Sequence, residues 1–259
     1  MKKFSLVEKR FYEIKELFNG FEHLMKDDFD IKIKNVIKIS NNQHLWGACR
    51  QARIFLDTHE STQDLFVLIE NIHRKRRKNH KDKLLILHCF ENALRSFVAI
   101  KIADLYNKND KDEWFLEYEL TNISSQIRQS LKMQKKKTSD FSDTFELFDH
   151  IMLKQLNEIL AINFHLFEET FLKDFSFNNK VVPAYNKNHL MTKLDQIRQA
   201  RNEIYHNHPT KIRFLADLEN IALRLGYNLN ENLNLQEIDI PIKLKYNYGE
   251  QNGSKNSDD

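Results

Sequence analysis

The stretch "RQARNEIYHNHP", residues 198–209, brings Arg201, Asn202, Tyr205 and His206 close together in the chain. An arginine is a fixed planar cation suited to a phosphate group, and a histidine titrates near neutral pH. An amide beside them can orient either one. On a helix, Asn202 and His206 are four apart and share one face, a turn from each other. Arginine, asparagine and histidine so placed are a minimum set for cleaving a phosphodiester without a metal. The competing reading is the solvated end of a surface helix carrying a satisfied histidine.

Two basic runs offer a different function. "HRKRRKNHKDK", His73 to Lys83, contains Arg74, Lys75, Arg76, Arg77 and Lys78, and "KMQKKK" spans Lys132 to Lys137. Either can grip phosphates, or each is a helix end whose cations complement the dipole. The close histidine pairs, His206 with His208 and His73 with His80, lack a Cys or carboxylate at ligand spacing, so no metal is expected. No GxxxxGK[ST], GxGxxG or GxSxG occurs, and no cofactor is expected.

The elements that hold these residues are read from apolar spacing. With 5 Gly and 3 Pro in 259 residues, breakers are sparse and long helices are favoured. Helical patterning covers 5–25 and recurs near 45–57, 62–79, 81–107, 113–137, 142–174, 187–206 and 210–225. In the motif helix, Leu190, Leu194, Ile197 and Ile204 form the buried stripe, and Pro209 disfavours helix at His208. Residues 178–188 read as a loop. Two segments alternate instead. "FDIKIKNVIKI" at 29–39 and "QEIDIPIKLKYNY" at 236–248 read as strands that pair into a small β element. The expectation is one mainly α domain over 1–248 with a disordered tail at 249–259. The net charge of +3 announces no bulk affinity for nucleic acid. The N-terminus lacks the apolar core of a signal peptide, and no stretch is apolar enough to span a membrane. Cys49 and Cys89 read as reduced thiols in a cytoplasmic protein, with a disulfide as the alternative.

On Arg201-Asn202-x-x-x-His206 the chain resembles HEPN-domain proteins, a helical superfamily marked by an R-x(4–6)-H motif often opening Arg-Asn. "HCFENALRSFVAIKIADLY", His88 to Tyr106, is similar to the Glu-x-x-x-Arg helix of the abortive-infection (AbiD/AbiF-like) group, with Glu91 and Arg95 at i and i+4. In that group the helix precedes the motif by roughly a hundred residues, and here Arg201 lies 106 positions after Arg95. The aromatic at Trp114 also fits. The likeness covers about 75–225, and it departs from the family where "HNHP" follows the motif.

The resemblance implies a HEPN-type helical bundle and a metal-independent endoribonuclease that acts as a homodimer. Arg201 would neutralise the scissile phosphate, His206 would be the general base or acid in 2′-OH attack, and Asn202 would orient the histidine or the phosphate. Glu91 and Arg95 would organise the site, or form only an intrahelical ion pair. Tyr205 would stack on a base, or only pack. An antitoxin, protein or small RNA, is an expected partner. The rival expectation is a non-catalytic HEPN RNA-binding or scaffold protein.

Overall fold

The computed structural model describes residues 5–107, 111–120 and 123–229. The protein is mainly α-helical. Helices α1 (Leu6–Leu17), α2 (Phe29–Ile39) and α3 (Asn42–Thr58) precede α4, which runs unbroken from Leu65 to Tyr106. Then come α5 (Ser124–Gln134), α6 (Thr144–Asp149), α7 (Leu153–Ile162) and α8 (Glu168–Leu172). A hairpin of β1 (Phe175–Phe177) and β2 (Lys180–Val182) leads into α9 (Lys187–Tyr205) and α10 (Leu215–Arg224). Among the described residues no helix is long and apolar enough to cross a membrane.

Helix α4 is the axis of the fold. Its 42 residues, about 63 Å of helix, touch α2, α3, α6, α7, α9 and α10. Asp64 caps its start by accepting from the Val67 amide at 3.0 Å. The first turns bury Leu65 and Ile69 against Phe11, Ile14, Phe29, Ile33 and Leu45 of α1–α3. The last turns bury Leu87, Phe90, Leu94, Val98 and Ile102. Between the two apolar stretches only His73 is buried on α4, and the basic run lies there. The two helices expected at 62–79 and 81–107 are thus one. Lys and Arg are good helix formers, and no Gly, Pro or capping geometry interrupts them.

Residues 29–39 are helical, which corrects the expected strand. Phe29 and Ile33 are buried, Val36 and Ile37 pack against the same core, and Ile31 and Ile39 are exposed. The positions 29, 33, 36 and 37 follow a helical period that the alternating isoleucines disguise. Packing on α1 and α4 overrides β propensity. The expected partner strand at 236–248, the domain end at 248 and the tail at 249–259 lie outside the described residues. The small β element of the described chain is the β1–β2 hairpin, with Phe175 opposite Val182 and Phe177 opposite Lys180. Asn178 and Asn179 make its two-residue turn at φ 47° and 62°, left-handed values that asparagine tolerates. Part of the expected loop is therefore this hairpin.

The span 142–174, expected as one helix, is broken into α6, α7 and α8. Asn163 ends α7, buried, with its amide donating to the Ile159 carbonyl at 2.9 Å. Short helices turned against each other bury Phe148, Ile159, Phe167 and Phe171, which lie on too many sides for one straight helix. Arg224, itself buried, locks this region to the hairpin. It donates to the carbonyls of Pro183 (2.7 Å), Thr170 (2.8 Å), Lys173 (3.0 Å) and Val182 (2.9 Å). Trp114 donates to Thr144 at 2.7 Å, and Asp112 accepts from the Thr144 hydroxyl and amide, so this aromatic holds α6 in place. Cys49 and Cys89 are free thiols, and burial pushes the Cys49 thiol up to about 12.

Candidate functional site

Helix α9 carries the motif, and its start and stop are both defined. The Asn186 side chain accepts from the His189 amide at 2.9 Å. Leu190, Leu194, Ile197, Ala200 and Ile204 are buried as the expected stripe, facing α4, α7 and α10. At the other end Asn207 takes a left-handed φ of 58°. Its amide donates to the Ile204 carbonyl and the His208 amide to the Glu203 carbonyl, both at 2.8 Å. That is the double closure of a Schellman end, with asparagine where glycine is commonest.

The same helix presents Arg201 to α4. Glu91 is 8% exposed, and its two carboxylate oxygens hold two arginines. Oε1 accepts from Arg95 Nη2 at 2.9 Å and Oε2 from Arg201 Nε at 3.2 Å. The Arg201 Nη1 donates to the Asn202 Oδ1 at 3.4 Å, and its guanidinium lies over the Tyr205 ring, 4.1 Å from the centroid. Arg201 is thus fixed along one edge by a carboxylate, at another by an amide and on one face by an aromatic ring. Glu91 forms the intrahelical pair with Arg95 and also reaches across to the motif helix. The chain of contacts continues to residues not singled out beforehand. Arg95 Nη1 donates to Asn92 Oδ1 at 3.2 Å, and Asn92 Nδ2 meets His88 Nε2 at 3.2 Å. Their positions 88, 92 and 95 on one helical face were the available signal.

His206 stands apart from this network. It is the C-cap of α9, exposed, with its backbone amide donating to the Asn202 carbonyl at 3.1 Å. Its ring centroid is 6.4 Å from that of His208. The motif helix therefore carries a held cation at Arg201 and, five positions on at its end, a solvent-facing imidazole at His206.

The basic run is not uniform. Arg74 pairs with Glu70 at 3.1 Å, while Lys75, Arg77 and Lys78 are exposed. Arg76 turns inward against Gly47 of α3, where a Cβ would come within 2.4 Å of its Nη2, so a larger residue at 47 would make the guanidinium shift. Arg74, Arg77 and Lys78 line a cleft whose far wall includes Asn207, one residue past His206. The run and the motif end therefore converge, although they are far apart in sequence. Among the described residues no three His, Cys, Asp or Glu side chains are grouped to hold a metal ion.

Three histidines of this region, His44, His73 and His80, are held below their ordinary titration range. Burial is the largest cause for each. Nearby positive groups add to it at His44, where the Asn207 backbone opposes the shift without reaching hydrogen-bond geometry. Glu70 opposes it at His73, and the Ile204 backbone opposes it at His80. A lowered folded-state value means the unfolded chain takes up protons first. Stability is full above the unfolded value of about 6.5 and is lost as pH falls below it. The melting temperature is expected to drop between pH 7.5 and pH 5.5, and the drop should shrink in His80→Gln. An unchanged drop in that variant contradicts this assignment. No protein-family model, curated protein or solved structure matches this chain.

Proposed function

We propose that the chain is a metal-independent endoribonuclease of a phage-defence or toxin–antitoxin system. Arg201 binds the scissile phosphate, His206 acts as general base or acid while the ribose 2′-OH attacks, and Asn202 orients Arg201. The products are a 2′,3′-cyclic phosphate and a 5′-OH end. DNA, which lacks the 2′-OH, is spared.

One contact carries this reading. Glu91 and Arg201, 110 positions apart, meet at 3.2 Å, joining the two segments that resemble HEPN motifs. A cation held on several sides is preorganised for charge that develops in a transition state. Acid–base cleavage wants two titrating groups, and a second copy across a two-fold axis supplies the other motif, so the active form is a homodimer. An antitoxin, protein or small RNA, keeps it inactive in the cell. The direct test is purified protein with RNA in excess EDTA. Cleavage leaving cyclic phosphate ends is expected, and cleavage that appears only on adding a divalent ion defeats the proposal.

A second reading has its own observation. The charge of Arg201 is shared with Glu91, and among the described residues the His206 ring hydrogen-bonds to neither Arg201 nor Asn202. A non-catalytic RNA-binding or scaffold protein would use the motif for packing and the basic run for binding. Expression separates the two, because a nuclease arrests growth and a scaffold does not.

In both readings the cleft cations hold phosphates. Replacing Arg74, Arg77 and Lys78 together with alanine is expected to weaken RNA binding. It should also flatten the logarithmic salt slope by about 2, at about 0.7 per single-strand phosphate contact. The single-turnover rate at saturating RNA should change little. An unaltered salt slope makes the run an ordinary solvated face.

A further inference from the structure

The cleft that Asn207 shares with α4 has the construction of a binding site. Its volume is about 750 Å³, within the range of about 300–1,000 Å³ common for small-molecule sites. One wall is the α2–α3 junction, another is α4 from His73 to Leu84, and Asn207 closes a side. Arg74, Arg77, Lys78 and Lys81 line it together with His44, His73 and His80, and no carboxylate lines it. The carboxylate next to this set is Glu70, engaged with Arg74 at 3.1 Å and 3.5 Å from His73. The N-terminus of α3 lies at the cleft, its Gln43 and His44 amides donating to the Asn41 side chain at 3.0 and 3.2 Å, so the helix adds only its dipole there.

A second, independent feature is buried. His44 is 5% exposed, and neither ring nitrogen has a hydrogen-bond partner. His80 packs edge-on against it at 4.8 Å, which fixes the ring without satisfying it. A buried polar group left unpaired is unfavourable, and an acceptor entering the cleft removes that deficit. The cleft also has an apolar side. Ile39 is 85% exposed at its rim, and Leu84 lies within it. A ligand that matches all of this carries a phosphate on one end and a flat apolar ring on the other.

We propose that the cleft binds the phosphate of a nucleotide. Arg77, Lys78 and Lys81 surround the phosphate, a ring N–H of His44 donates to it, and the base lies on Ile39 and Leu84. This deepens the RNA reading and rests on it only for the source of the nucleotide, an RNA strand or a free mononucleotide.

The test is calorimetric titration of the full chain with adenosine 5′-monophosphate at pH 7.5 and low salt. Saturable one-to-one binding is expected. Arg77→Ala and Lys78→Ala should each weaken it about tenfold, the loss of one charge-assisted contact. Lys154→Ala, which removes the same charge from α7, should leave it unchanged, and adenosine should not bind. Absence of saturable binding, equal losses in all three variants, or equal affinity for adenosine overturns the site. Competition with 2′-O-methyl RNA, which 2′-OH chemistry cannot cut, then identifies the source. Displacement only by a 5′-phosphorylated strand assigns an RNA end, displacement by strands with and without it assigns an internal phosphate, and displacement by neither assigns a free nucleotide. All three keep the site. Cleavage is scored separately. A chain that binds the nucleotide but cuts no RNA loses only the nuclease proposal, and one that cuts RNA but takes no nucleotide loses only this one.

Discussion

His206→Ala is expected to abolish RNA cleavage and growth arrest while the protein still folds and dimerises. The imidazole is exposed at the end of α9, and it is the backbone amide of His206, bonded to Asn202, that closes the last turn. Alanine keeps that bond and leaves no cavity, so melting should shift little. Loss of one acid–base group lowers a rate by about 10²–10⁴-fold. Arg201→Ala should be comparably damaging, because the phosphate loses its cation. Arg201→Lys should restore only part, since an ammonium cannot keep Glu91 on one edge and offer a planar fork on another. Lys211→Ala, an exposed position beyond the helix, is the control and should stay near the parent rate. If the His206 and Arg201 alanine proteins both fold, dimerise and cut RNA as the parent does, the stretch is only a helix end.

The motif helix was legible because its signals are local. The stripe from Leu190 to Ile204 has the helical period, and Pro209 marks the stop, so the end at Tyr205 followed from short-range sterics. What failed was where local pattern and packing disagree. The isoleucines of α2 alternate, yet Phe29, Ile33, Val36 and Ile37 find a core on α1 and α4 only as a helix. The break at Asn163 was invisible in an apolar run, because a buried asparagine reads as helix interior until its amide is seen bonded to Ile159. The turn at Asn178-Asn179 was visible as a breaker but not as a hairpin, since the strands on either side are three residues long.

The site divides in the same way. Arg201, Asn202 and His206 are adjacent in sequence and could be named from it. The cleft could not. It needs α4 to run straight through the basic stretch, so that Arg77 and Lys78 face Asn207, and it needs His44, which nothing in its own segment singles out. Arg76 shows the reverse. It is one more cation in the run, but Gly47 admits it into the packing against α3. Contact between distant segments, rather than residue type, separates the cations that line the cleft from the one packed inside.

Glu91 is where fold and chemistry meet, and its removal should affect both. The carboxylate is buried and compensates two arginines that remain largely desolvated, Arg95 at 13% and Arg201 at 29% side-chain exposure. Glu91→Gln keeps the shape but presents an amide donor to a guanidinium donor. Breaking a buried pair costs about 3–5 kcal/mol, and the exposure left to Arg201 places the expected loss nearer about 2 kcal/mol. Urea unfolding should read this as a lower midpoint with an unchanged slope. Cleavage should fall further than stability explains, because Arg201 loses the edge that aims it, and a misaimed cation lowers the turnover rate more than it raises KM. The pair Glu91→Gln with Arg201→Ala should then be no slower than Arg201→Ala alone, since Glu91 acts through that arginine. A different result would assign Glu91 a different role. If Glu91→Gln cuts RNA faster than the parent, the carboxylate competes with the phosphate for Arg201 and is a brake on the site, not its support.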